Sequence, residues 1–120
     1  MSIKIAIGIP SYNEAEYIQF VLRQVDDGLK KYFNYKNCLI LNLDSNSNDE
    51  TRNIFLSTKT ATRKKSVIVP PGKGRAMLYF FKFCLKNNIP YCATVDADLK
   101  SIKPNWIYGL IHPLGSGFDY

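Results

Sequence analysis

Apolar positions along the chain follow two alternating rhythms. Residues 3–9, Ile3-Lys4-Ile5-Ala6-Ile7-Gly8-Ile9, are apolar at nearly every position, as in a strand covered on both faces, and Pro10 is placed to end it. From Glu14 to about Phe33, Ile18, Val21, Leu22, Val25 and Leu29 recur at helical spacing, which predicts a helix with Asn13 as its N-cap. The plan then repeats. Residues 38–43 form a second strand ending at Asp44, and Ser47-Asn48-Asp49-Glu50 has the S-x-x-E form of a capping box, predicting a helix through about Leu56. Residues 57–65 are polar and basic and read as a surface loop, before Val67-Ile68-Val69 gives a short third strand. After a loop at 70–75, residues 76–86 read as a helix burying Met77, Leu78, Phe81, Cys84 and Leu85. Tyr91-Cys92-Ala93-Thr94-Val95 is the fourth strand, Pro104 is placed to start a short helix to about Ile111, and Phe118-Asp119-Tyr120 reads as the beginning of another strand.

Strands alternating with helices in the order βαβαβαβ predict an α/β fold, a mainly parallel sheet with helices on both faces and right-handed crossovers. In such sheets ligands bind beyond the carboxyl ends of the strands. The polar clusters fall there: Ser11-Tyr12-Asn13-Glu14 after the first strand, Asp44-Ser45-Asn46-Ser47 after the second, Gly72-Lys73-Gly74-Arg75 after the third and Asp96-Ala97-Asp98 after the fourth.

Composition narrows the picture. With 120 residues the chain is one domain, long enough for a core and small for a complete two-substrate enzyme. No apolar run approaches the roughly 20 residues of a membrane span and the start does not resemble a signal peptide, so the expectation is a cytoplasmic protein without a transmembrane segment. Cys38, Cys84 and Cys92 stand singly among apolar neighbours, as reduced, buried thiols do, and His112 reads as structural. The net charge of +6 suits an anionic partner. Nucleic acid is not that partner: the basic residues Lys59, Arg63, Lys64 and Lys65 have no interleaved aromatics.

Asp96 and Asp98 carry the most specific chemistry. In an extended backbone both carboxylates point to one side while Ala97 points to the other, so the pair could hold one hard cation, Mg²⁺ or Mn²⁺. Such ions complete their shell with water and substrate phosphates, which implies a phosphorylated substrate. Two acids at a strand end also occur as solvated turn residues. The strand-end clusters add carboxylates for ribose hydroxyls, with Lys73 and Arg75 for phosphate. Two common nucleotide loops are excluded, since Gly8 is followed by Ile9 and Pro10 rather than by G-x-G-x-x-G, and Lys73 is followed by Gly74 rather than by a Walker hydroxyl.

The segments Pro10-Ser11-Tyr12-Asn13-Glu14, Asp44-Ser45-Asn46-Ser47-Asn48-Asp49, Pro71-Gly72-Lys73-Gly74 and Asp96-Ala97-Asp98 resemble the ordered signature of family 2-like nucleotide-sugar glycosyltransferases. Pro71-Gly72-Lys73-Gly74 with Met77, and Asp96-Ala97-Asp98 with Pro104-Asn105-Trp106, resemble more narrowly the glucosylglycerate, mannosylglycerate and glucosyl-3-phosphoglycerate synthases. The resemblance implies a Rossmann-like GT-A fold, with residues 1–120 forming a nucleotide-sugar (donor) binding domain truncated before the acceptor region. It implies that Pro10, Ser11, Tyr12, Asn13 and Glu14 cradle the nucleoside, that Asp44 and Ser45 face the base, that Lys73 reaches the nucleotide and that Ala97 lies against the donor. Asp98 would bind the metal, and Asp96 either the metal or the ribose. The implied partner is a UDP- or GDP-linked sugar, and the implied activity is glycosyl transfer with Mg²⁺ or Mn²⁺, to glycerate or 3-phosphoglycerate. A non-catalytic nucleotide-binding domain, or an inverting transferase acting on a lipid-phosphate or polysaccharide acceptor, stands as the alternative. A homodimer is compatible with either. No acceptor-side base is identifiable, and little transfer is expected from these residues alone.

Overall fold

The structure, a computed structural model, describes residues 3–113, apart from the side chains of Lys73, His112 and Pro113. The elements are β1 (Ile5–Ser11), α1 (Ile18–Tyr32), a 3₁₀ turn (Tyr35–Asn37), β2 (Cys38–Asp44), α2 (Thr51–Ser57), β3 (Arg63–Ile68), α3 (Lys73–Lys86), β4 (Tyr91–Thr94), α4 (Trp106–Leu110) and β5 (His112–Pro113). They form one sheet in the order β3-β2-β1-β4-β5. The first four strands are parallel, and the two-residue β5 runs antiparallel to β4.

Each central strand splits its side chains between two cores. Ile5, Ile7 and Ile9 of β1 point to one face, where they pack with Val21, Leu22, Val25 and Leu29 of α1, Phe55 of α2 and Ile107 of α4. Ala6 points to the other face, where Leu41, Leu43 and Cys92 meet Ala76, Phe80 and Cys84 of α3. The period of two thus buries β1 on both sides, which explains its lack of polar alternation. Cys38, Cys84 and Cys92 are free thiols and buried, and burial pushes Cys38 up to about 11.

Several predicted boundaries shift. Pro10 does not end β1, which runs to Ser11 and pairs Pro10 with Leu43. The proline is tolerated because β4 has already left the sheet on that side, its last pairing with β1 being Gly8 to Thr94. Helix α1 begins at Ile18 rather than Glu14, and Asn13 is not its cap; Asn13 lies in the left-handed region at φ 52°. The Ser47–Glu50 box does not form either. Helix α2 starts at Thr51, and the Ser47 hydroxyl donates to Asp44 Oδ1 at 2.6 Å.

Of the basic residues expected in a loop, Lys59 lies in one, whereas Arg63, Lys64 and Lys65 lie in β3, whose exposed and half-buried positions mark it as the sheet edge. Edge strands carry lysine readily, because only one flank is paired and the charge discourages further pairing. Helix α3 begins three residues earlier than predicted, at Lys73, and buries Ala76, Phe80 and Cys84; Leu78 and Leu85 are exposed. Helix α4 begins at Trp106 rather than Pro104. Phe118, Asp119 and Tyr120 lie outside the described residues, as does the side chain of His112.

One buried charge secures the turn into β3. Asp26, on α1 and almost fully buried, accepts from the backbone N–H of Thr62 at 2.9 Å and of Ala61 at 3.1 Å. Asp26→Ala leaves both donors without their partner and is expected to lower stability by about 3 kcal/mol, with Asp26→Asn losing about half as much. Urea unfolding measures both. Equal losses would show that the carboxylate's charge and second oxygen are immaterial.

Candidate functional site

The loops after β1, β2 and β4 converge at the carboxyl end of the sheet. The chain passes from β1 to β2 on one side and returns to β4 on the other, so a crevice is left at the switch point between β1 and β4. A cleft of about 250 Å³ opens there, lined by Pro10, Ser11, Tyr12, Glu14, Ser45, Asp96, Ala97 and Asp98, with Ala76 of α3 closing one wall. A second hollow of about 360 Å³ shares Tyr12 and Ser45 and extends to Asn46, Pro71 and Gly72.

Eight of the predicted site residues therefore meet in one place. Asn13 and Asp44 do not line the cleft. Asp44 is fully buried beneath it, where Oδ2 accepts from the Ser47 N–H at 2.8 Å and Oδ1 from the Ser47 hydroxyl. The Ser11 hydroxyl donates to Asn42 Oδ1 at 2.6 Å, and Asn42 Nδ2 donates to Ser66 at 3.1 Å. A polar row thus crosses β1, β2 and β3 under the site. The side chain of Lys73 lies outside what the structure describes.

Asn13 belongs instead to a clasp between loops. Its N–H donates to the Ser47 hydroxyl at 2.9 Å and its Oδ1 accepts from the Asn48 N–H at 3.0 Å. The Glu14 N–H donates to Thr51 Oγ1 at 2.8 Å, and the Ala15 N–H to Asp49 Oδ2 at 3.3 Å. Asp49 Oδ1 also accepts from the Thr51 N–H at 3.0 Å and from its hydroxyl. The Thr51 bonds hold the Asp49 carboxyl below its usual range. Asn13 at φ 52° is in the left-handed region and cannot start a right-handed helix, and α1 begins at Ile18 beyond this clasp. Thr51 had no role assigned from the sequence, and Asp49 stood only within the apparent capping box and the signature segment; Asp49-x-Thr51 was the available signal.

The D-x-D pair sits differently from the extended pair expected. β4 ends at Thr94, and Asp96 to Leu99 form a turn in which the Leu99 N–H donates to the Asp96 carbonyl at 3.2 Å. Asp96 is half-buried, Ala97 buried and Asp98 exposed at the rim. Glu14 faces them with Oε2 buried and lacking a hydrogen-bond partner. Its pKa is raised, first by burial and then by the negative charges of Asp98, Asp49, Asp96 and Glu16. Among the described residues no group of three or more His, Cys, Asp or Glu side chains is placed to enclose a metal ion by itself. The donor set still fits a hard cation that takes one or two carboxylates and draws the rest of its shell from water and phosphate, since Glu14, Asp96 and Asp98 all line the cleft.

A family model described as Glycosyl transferase family 2 matches residues 6–120. No curated protein matches the chain significantly. Among solved structures, glucosyl-3-phosphoglycerate synthase from Mycobacterium tuberculosis in complex with Mn²⁺, UDP-glucose and phosphoglyceric acid is similar at 22% identity with a TM-score of 0.66, over 88% of this chain and 37% of that one. The same synthase with UDP is similar at 20% identity and a TM-score of 0.62, over 88% and 38%. A structure described only as a mycobacterial protein matches at 19% identity and a TM-score of 0.62, over 88% and 35%. The shared arrangement is the Rossmann-like GT-A fold implied by the sequence resemblance, and the chain spans little more than a third of the solved chains it matches.

Proposed function

Because the chain belongs to glycosyl transferase family 2, we propose that it is the donor-binding part of a glycosyltransferase and takes up a nucleoside diphosphate sugar together with Mn²⁺ or Mg²⁺. The observation that carries this reading is the meeting of Asp96, Asp98 and the unpartnered Glu14 oxygen in a cleft at the sheet's switch point. The solved relatives hold Mn²⁺ with UDP or UDP-glucose, which supports a uridine donor over a guanosine one.

In this reading Tyr12 and Ser45, which border both hollows, receive the base, and Glu14 accepts from the ribose hydroxyls. Asp44 acts from below by holding the Ser45 to Ser47 loop, and Asn13 does the same from the facing loop. Lys73 stands at the start of α3, on the loop that a diphosphate would approach. Asp98 and Asp96 would hold the metal, which when bound supplies Lewis-acid stabilisation of the departing diphosphate. The turn at Asp96 to Leu99 fixes where those carboxylates stand. The acceptor is 3-phosphoglycerate by analogy with the similar synthase, or glycerate as the sequence resemblance implies.

Calorimetric titration with UDP and GDP, in Mn²⁺, in Mg²⁺ and in EDTA, tests this. UDP is expected to bind about tenfold or more tightly with Mn²⁺ than in EDTA, and more tightly than GDP. Equal, metal-independent affinity for both nucleotides would overturn the donor-site reading.

A further inference from the structure

Helix α3 has more apolar surface than its core contact uses. Nine of its 14 residues, Lys73–Lys86, are apolar, yet Ala76, Phe80 and Cys84 alone among them are buried. Leu78 and Leu85 lie one behind the other at i and i+7 with 56% and 60% of their surface exposed, and Tyr79 stands beside them at 39%. A helix apolar around most of its circumference requires a second apolar neighbour besides its own sheet.

The polar positions say what kind of neighbour. Arg75, Lys82 and Lys86 occupy the same outward side as the two leucines, and the helix contains no acidic residue. The bias extends beyond α3. Residues 51–95 hold nine Lys or Arg and no Asp or Glu, four of the nine on α3 and the others on α2, β3 and the loop between them, so the excess of positive charge lies within this segment. A protein segment laid over Leu78 and Leu85 would desolvate these cations and would have to pair each one. An anionic bilayer surface meets both requirements at once, with phosphates for the cations and acyl chains for the leucines, while lysine and arginine stems bridge the two depths.

We infer that the exposed side of α3 is a docking surface for an anionic lipid membrane, with Leu78 and Leu85 inserted at the interface and Arg75, Lys82 and Lys86 on the headgroups. No helix among the described residues is long and apolar enough to cross a membrane, and the contact proposed is interfacial. Ala76, in the first turn of the same helix, forms a wall of the cleft, so docking would hold that cleft near the surface.

Vesicle co-sedimentation tests this with the 120-residue chain, using phosphatidylcholine alone and phosphatidylcholine containing phosphatidylglycerol. Binding to the mixed vesicles is expected to exceed binding to phosphatidylcholine by about tenfold or more, and to weaken with salt. Leu78→Ser with Leu85→Ser should weaken it about tenfold with an unchanged circular dichroism spectrum, and Lys82→Glu should weaken it independently. Three results would each overturn the inference: equal binding to both vesicle types, undiminished binding by the double serine variant, or a wild-type dimer in light scattering that the double variant abolishes. Single-stranded DNA retained equally by wild type and double variant, without vesicle binding, would assign the charge to a polynucleotide instead.

Discussion

Replacing Asp98 by alanine is expected to abolish the Mn²⁺-dependent part of nucleotide binding, a loss of about tenfold or more, while the protein stays folded. Asp98 is exposed at the rim of the cleft, so its removal opens no cavity. Its cost to the fold runs the other way. The Glu14 carboxyl is raised above its ordinary value of 4.5, chiefly by burial and next by the charge of Asp98. A carboxyl raised on folding contributes stability that is fully present below its unfolded value and is lost as pH rises through the folded one. At neutral pH the ionised Glu14 therefore works against the fold, and removing one neighbouring negative charge relieves part of that. Asp98→Asn should consequently melt at a higher temperature than wild type without metal at pH 7, with the advantage vanishing as pH falls through the raised Glu14 value. Added Mn²⁺ should raise the melting temperature of wild type and leave that of the variant unmoved. A variant that melts lower without metal, or that keeps its response to Mn²⁺, would show that Asp98 supports structure or that the ion sits elsewhere.

The opposition between stability and binding explains why the acids are held so firmly. Three carboxylates around one small cleft repel one another, and the backbone on both sides of them is tied down by hydrogen bonds between and within the loops. The clasp of Asn13, Ser47, Asp49 and Thr51 fixes the Glu14 side, and the turn from Asp96 to Leu99 fixes the other. Site geometry here is set by loop-to-loop hydrogen bonds more than by the helices that follow.

Those bonds are also where the sequence was least informative. The central strands were legible because burial on both faces leaves an apolar residue at nearly every position of β1 and β2. β3 was not, because an edge strand with lysines at the surface has neither an apolar run nor clean alternation. For α3 the helix was legible but its rotation was not. With nine apolar positions, the stripe through Ala76, Phe80 and Cys84 and the stripe through Met77, Leu78, Phe81 and Leu85 satisfy helical spacing equally, and packing under Gly8 selects the first. Asp44 was found as a polar residue at a strand end, but the sequence gives no sign that its carboxylate turns inward to Ser47. That the strand-end clusters meet at one end was legible from topology, since every parallel strand delivers its following loop to the same end of the sheet, while the individual residues came from the resemblance.

Gly28→Ala is expected to destabilise the fold by about 2–4 kcal/mol, although alanine is the better helix former. Gly28 lies inside α1, where the substitution would by itself favour the helix by about 1 kcal/mol. A Cβ there would stand 2.5 Å from the Pro104 carbonyl oxygen and 2.7 Å from Ile107 Cγ1. Neither neighbour can yield cheaply, because one is backbone and Ile107 is fully buried in the core between α1 and α4. Overpacking of that kind costs about 3 kcal/mol or more, which outweighs the gain in propensity. Gly109→Ala in α4 provides the contrast, since a Cβ there meets nothing within 4 Å. It should stabilise by about 0.5–1 kcal/mol, so one chemical change is expected to give opposite signs at two positions. The displacement has a reach beyond stability: Pro104 closes the segment that begins at Asp96, so forcing α4 away from α1 pulls on the turn that places Asp98. Urea unfolding and Mn²⁺-dependent UDP titration of the two variants separate these effects. Gly28→Ala should weaken both readouts and Gly109→Ala neither, and a Gly28→Ala protein as stable as wild type would show that α4 is free to move off α1.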